Sequence, residues 1–389
     1  MLYPEKVRVA LEAKKDKFTS AQIELQQDID RLKEALNNLS SLKRDEIEKR
    51  LAGILAPGAR PTEEQDNYPD IIVPFVNSWK NKQESLFWAK KTLQGINTFA
   101  ADGSQISPSK DLSIPVGVIQ VGWYENRHQP NGEYVKDINL EVLSPDELSE
   151  DEGEEGGFPE WIINWKRFEM EVSCLVSYME RYREKQIKPI CFLDGSLIVS
   201  FVQHMLPDHQ AKYINAIRQL LRVSTETRVP LIGFVDTTYA NDLVVMLKHI
   251  DKLTIRRRVS DSALLNPLMK WGDRSQAYIC ARDDKVLERY YEIVIFVYLK
   301  TSSDHPPARL DFPRWIYEEG LHESVIDIVR AECLVGNGYP YPAETADAVA
   351  VLGMEDRERF YKLFQEFAQK NNMPLRFSKK AISKRMRRV

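Results

Sequence analysis

The 389-residue sequence predicts an α/β fold, a mixed sheet flanked by helices, with a helical N-terminal extension. Three observations lead to it. Short apolar strands alternate with helical patterns after residue 160, two longer strand patterns before that flank a Pro-Asn-Gly turn, and residues 5–55 keep a helical apolar spacing.

In the extension, Leu25, Ile29, Leu32, Leu36 and Leu39 recur every three or four residues with polar side chains between them. Gly53 and Ala56-Pro57-Gly58 stop the pattern. Such a stretch reads as a packing or dimer element. A linker, Ala59 to Asp70, and a lead-in helix follow, so the expected divisions are 1–60 and 61–94, then a main domain at 95–370 and a tail at 371–389.

The main domain opens with a short strand, Ile96–Ala101, running into Asp102-Gly103-Ser104. Ile114–Glu125 and Tyr134–Leu143 read as two strands joined at Pro130-Asn131-Gly132. Trp161–Lys185 has a helical pattern. Pro189–Leu193 is a wholly apolar strand that ends in a second Asp-Gly-Ser, at 194–196. A helix (207–227), a strand (230–235), a helix (241–250), a strong strand (293–299) and a last helical region (343–370) complete the order. Apolar strands between helices imply a sheet covered on both faces. Three antiparallel strands and then helix, strand, helix, strand is the order of the ribonuclease H-like fold, although other mixed α/β folds fit it too.

Composition is that of a globular chain, 43% hydrophobic and 29% charged, which excludes fibrous and wholly disordered classes. No apolar run approaches the ~20 residues needed to cross a bilayer, so no membrane association is expected. The N-terminus lacks an apolar signal core, and the four cysteines are too scattered for a disulfide scaffold or a zinc site. A cytoplasmic location follows. The net charge of −4 conceals two opposite patches. Residues 144–160, an acidic loop, carry eight acids and no base, whereas residues 370–389 carry eight bases and no acid. In that tail Lys379, Lys380, Lys384, Arg385, Arg387 and Arg388 are candidates for contact with phosphates.

The two Asp-Gly-Ser tripeptides are the candidate chemistry. Open α/β sheets place their sites at the carboxyl ends of strands, where Asp102 and Asp194 fall. Glycine next to each aspartate permits close approach or unusual backbone geometry, although Asp-Gly-Ser also makes ordinary turns. Two strand-end aspartates suit hard divalent cations, and a two-metal site of three or four carboxylates suits phosphodiester cleavage. Further candidates are Glu169 and Glu171 on the preceding helix, Asp236 at the end of GFVD, and Asp347. Glu171 shares a helical face with Leu175 and Tyr178, and Glu169 shares one with Val172, Ser173 and Val176, which leaves both open. Asp347 lies among Ala and Val, where a charge is costly unless paired or metal-bound. No GxxxxGK[ST] loop points to ATP hydrolysis in this chain, and no GxSxG elbow is present. Ser104 and Ser196 keep a serine-hydrolase reading as a minor alternative.

These residues resemble the NurA nucleases, ribonuclease H-like enzymes that work with the HerA ATPase. The resemblance rests on FAADGSQ (99–105), the acidic helix (167–175), CFLDGSL (191–197), PLIGFVD (230–236), ARLDFPRW (308–315) and GYPYPAETADAVAVL (338–352). It implies a manganese-dependent DNA nuclease, with two Mn²⁺ ions or Mg²⁺ in their place. The implied activities are 5′→3′ exonuclease and single-strand endonuclease, in end processing, repair or defence. It implies a homodimer and a HerA-type hexameric ATPase partner. By the same resemblance Asp102, Glu171, Asp194 and Asp347 are the catalytic and metal-binding set, with Glu169 and Asp236 as lesser candidates. Members often carry His where this chain has Asp347, so Asp347 is a metal candidate and not an imidazole acid/base. That substitution also favours an alternative, a decayed ribonuclease H-like module that binds DNA or the motor without cleaving.

Overall fold

The computed structural model describes residues 2–149, 160–282, 290–376 and 378. They form two compact units, one from residues 1–80 and 234–320, the other from residues 81–233 and 321–389.

The second unit holds Asp102, Glu171, Asp194 and Asp347. It begins with helix α1 (Lys82–Leu93), where the Asn81 side chain accepts from Glu84 N and caps the first turn. Strands β1 (Thr98–Ile106), β2 (Gly117–Asn126) and β3 (Tyr134–Leu143) follow as an antiparallel meander. Then come α2 (Glu160–Arg181), β4 (Ile190–Asp194), α3 (Pro207–Thr227) and β5 (Leu231–Val235), at whose end the chain passes into the other unit. The sheet order is β5-β4-β1-β2-β3, with β4 parallel to β1. This mixed sheet flanked by helices has the ribonuclease H-like order that the sequence predicts. The unit closes with α4 (His322–Val335), α5 (Tyr341–Ala350) and α6 (Met354–Lys370).

Burial explains the strand compositions. Residues 190–193 of β4 and 231–234 of β5 are buried and wholly apolar or glycine, as central strands covered on both faces require. Strand β3 is at the edge, and eight of its ten residues are exposed, including Tyr134, Ile138 and Leu140. Proline at the first helical position starts α3, and Arg228 in the left-handed region (φ 55°) ends it. All four cysteines are free.

The sequence expectation differs at β1. The strand does not stop at Ala101 but runs on through Asp102-Gly103-Ser104 to Ile106, each residue paired with β2. Turn chemistry yields here to the ladder. Only the parallel pairing ends on time, since Ala101↔Leu193 is the last match between β1 and β4.

In the first unit the expected N-terminal helix is three helices, Pro4–Glu12, Lys15–Ser40 and Arg44–Arg50. Leu32, Leu36 and Leu39 are buried, whereas Leu25 is exposed. Strand Gly58–Pro61, which straddles the start of the expected linker, pairs antiparallel with Tyr278–Ala281. That strand pairs in turn with Val294–Leu299, which pairs with Ala308–Pro313. Asp242 is buried there between the Arg282 and Arg309 guanidiniums, which hold its carboxyl down to about 2. No helix among the described residues is long and apolar enough to cross a membrane.

Candidate metal centre

Asp102 and Asp194 each stand one residue beyond the last register pair of two adjacent parallel strands, at the carboxyl ends expected of an α/β site. Two helices complete the cluster from opposite faces of the sheet. Gly103 and Asp102, being consecutive in a strand, point to opposite faces. On the Gly103 side lies α2, where a Cβ on Gly103 would stand 2.4 Å from Glu171 Oε1 and 2.7 Å from Arg167 Cγ. On the Asp102 side lies α5. There a Cβ on Gly122, the cross-strand partner of Asp102, would stand 2.6 Å from Ala350 N and 2.9 Å from Ala346 O. Glycine at both positions lets the helices carrying Glu171 and Asp347 approach.

The carboxyl groups feel one another. Burial pushes Asp102 up to about 6, and the neighbouring carboxyl groups of Asp194 and Asp347 add to this. Glu171, 8% exposed, is pushed up to about 7 by burial and by the charges of Asp102 and Asp194, against the opposing pull of Arg167. Arg167 Nη1 donates to both Gly103 O and Glu171 Oε1 at 3.1 Å, which fixes the glutamate over β1. Carboxylates are the hard-oxygen donors that Mn²⁺ or Mg²⁺ prefers, although no three of these four carboxyl groups bring oxygens within 4.8 Å of one another. Burial is the main cause of the upward shifts of Asp102 and Glu171, and cations would relieve the part that neighbouring carboxylates add.

The structure separates the two helix glutamates. Glu171 joins the aspartates, whereas Glu169, 44% exposed along its side chain, turns aside to pair with Lys166 at 3.3 Å. Asp347 corrects one expectation. It is exposed, because Ala343, Ala346 and Ala350 take the buried face of α5, so burial does not make its charge costly. Asp236 lies in the other unit, with Thr237 donating to its Oδ2. Lys379, Lys380, Lys384, Arg385, Arg387 and Arg388 lie outside the described residues, as do residues 150–159 of the acidic loop.

The serines have structural partners. Ser104 Oγ accepts from Leu352 N, tying the end of α5 to β1, and Ser196 Oγ accepts from Ile198 N. Sequence reasoning missed Tyr339, whose hydroxyl donates to Asp194 Oδ1 from the turn between α4 and α5. It also missed Gly122. Nothing local marks either residue, since both depend on partners distant in sequence.

No curated protein matches the chain. Among solved structures, one described as the crystal structure of NurA aligns over 70% of this chain and 89% of its own, at 11% identity and TM-score 0.40. The Argonaute of Aquifex aeolicus aligns over 67% of this chain and 29% of its own, at 11% identity and TM-score 0.28. The family model for the NurA domain matches residues 96–352, well over half of the sequence, so this chain belongs to the NurA domain family, and a nuclease-type function follows from that membership.

Proposed function

We propose that the chain is a metal-dependent DNA nuclease whose site is Asp102, Glu171, Asp194 and Asp347. The observation that supports this is that Asp102 and Asp194 end adjacent parallel strands and that Asp102 and Glu171 are pushed up by burial and, beyond that, by neighbouring carboxylates, Asp347 among them. Bound divalent ions would lower the pKa of an attacking water and stabilise the leaving oxygen of a phosphodiester. The protein's part is to fix the donors. Arg167 holds Glu171, Tyr339 holds Asp194, and the glycine contacts bring α2 and α5 onto the sheet. Mn²⁺ as the working ion, 5′→3′ exonuclease and single-strand endonuclease action, a homodimer and a HerA-type hexameric ATPase partner are parts of the same proposal. So are a cytoplasmic place in DNA end processing and phosphate contacts by the basic tail.

End-labelled single- and double-stranded DNA, incubated with Mn²⁺, Mg²⁺ or EDTA with and without such an ATPase, tests it. Products that require metal and grow from the 5′ end support the reading. Absence of cleavage in every arm, together with failure to bind Mn²⁺ in calorimetry, selects the decayed module.

A further inference from the structure

Strand β3 ends its sheet, and its outer backbone row faces away from β2. Just beyond the two strands Arg127 N donates to Glu133 O, so the hydrogen-bonded pairs of this antiparallel ladder fall on the odd residues of β3. The N–H and C=O groups of Tyr134, Lys136, Ile138, Leu140 and Val142 therefore point along the open edge. Ile138 N, turned outward, donates to the side chain of its neighbour, Asp137 Oδ1, at 2.8 Å. The side chains of these five residues share one face of the strand. Four of them are apolar and exposed, Tyr134 and Leu140 by more than half.

We infer that β3 pairs antiparallel with β3 of a second copy of this chain, in a register centred on Ile138. The inference rests on the homodimer in the proposed function and names the surface that makes it. Charge selects the register, because like charges directly opposite one another destabilise a ladder. Centred on Asp137, the pair would set that aspartate against its own copy. Centred on Asn139, it would set Asp137 against Glu141. Centred on Ile138, Asp137 meets Asn139, Glu141 meets Val135 and Lys136 meets Leu140, so no like charges face each other. The same register puts Ile138 against its own copy and Tyr134 against Val142, which covers the exposed apolar row. Every outward N–H and C=O of the five even residues then meets its counterpart, in about ten backbone hydrogen bonds. The strand is complementary to itself, and that favours a second copy over an unrelated strand.

The test uses the full chain in sedimentation equilibrium, with cysteine cross-linking under mild oxidation. The wild type is a dimer. Ile138→Pro spares the β2–β3 ladder, which does not use that N–H, and raises the dimer dissociation constant roughly thirtyfold, the worth of two backbone hydrogen bonds. Ile138→Cys cross-links to its own copy, since a hydrogen-bonded pair of this kind has Cα atoms about 5.5 Å apart, within disulfide reach. Leu140→Cys alone does not, its copy lying four residues along the partner strand, roughly 13 Å away, whereas mixed with Lys136→Cys it does. Wild type, whose Cys174 is partly exposed, is the blank. An Ile138→Cys chain that does not cross-link overturns the inference even if proline at 138 unfolds the hairpin, and so does an Ile138→Pro chain that dimerises as wild type. A monomeric wild type overturns it together with the proposed homodimer, whereas a dimer that fails only the cross-link leaves the homodimer standing. The nuclease reading stands or falls separately, on metal-dependent cleavage by the wild type.

Discussion

Gly122 stands directly opposite Asp102 in the ladder of β1 and β2, and the backbone of the helix carrying Asp347 rests on it. A Cβ there would meet Ala350 N at 2.6 Å, and backbone cannot move aside as a flexible side chain can. Gly122→Ala is therefore expected to displace α5 and draw Asp347 away from Asp102. Overpacking of this kind costs roughly 1–3 kcal/mol, which thermal unfolding would report. The sharper expectation is a loss of Mn²⁺ affinity, read by calorimetry. Unchanged affinity would mean that α5 does not contribute a ligand.

The helix glutamates give a paired comparison. Glu171→Gln removes a buried carboxylate beside Asp102 and Asp194, and cleavage is expected to fall roughly 10²-fold or more, as for loss of other preorganised electrostatic contacts. Glu169→Gln removes a half-exposed partner of Lys166, and its cleavage rate is expected to stay within a few fold of wild type. Single-turnover rates measure both, and the reverse order would exchange their roles.

Tyr339 acts through Asp194 by holding one carboxylate oxygen in place. Loss of such a supporting hydrogen bond usually costs about 10–100-fold in metal affinity. Tyr339→Phe is expected to raise the Mn²⁺ concentration needed for half-maximal cleavage by that factor, with the rate at saturating metal much less affected. A fall in the saturated rate with unchanged metal affinity would give Tyr339 a different role.

Stability should depend on pH in a direction fixed by the site. Asp102 and Glu171 hold protons more tightly folded than unfolded, since they are pushed up to about 6 and about 7 from ordinary values of 3.8 and 4.5. The stability they contribute is complete below the ordinary values and is lost as pH rises through the folded ones. The melting temperature of the metal-free protein is thus expected to fall between about pH 4 and pH 7, with a shallower fall in Glu171→Gln. Bound Mn²⁺ reverses the trend, because protons compete for the same oxygens. At a hundredfold excess over its dissociation constant the ion adds about 2.7 kcal/mol near neutral pH. Differential scanning calorimetry with and without Mn²⁺ follows both effects, and an equal pH slope in wild type and Glu171→Gln would contradict the assigned shift.

Much of the second unit was legible because its signals are local. The apolar runs at 190–193 and 231–235 and the helix at 207–227 need no distant partner to be read, and β4 delivers Asp194 to its strand end. The first Asp-Gly-Ser misled at one point, because those three residues favour a turn on their own and enter the strand only through the ladder with β2. Strand Gly58–Pro61 was invisible for the same reason, carrying a proline and depending on residues 278–281. The choice between Glu169 and Glu171 needed the packing of α2 on Gly103, and the exposure of Asp347 needed the alanine face of α5. Tyr339 and Gly122 are site residues only through what they touch.

The most direct measurement of the central claim is single-turnover cleavage of labelled single-stranded DNA in Mn²⁺ by wild type, Asp102→Asn and Asp194→Asn. Metal-dependent cleavage by wild type and a loss of roughly 10²-fold or more in each variant is the expected result. Either variant cleaving as fast as wild type, or cleavage that persists in EDTA, would contradict it.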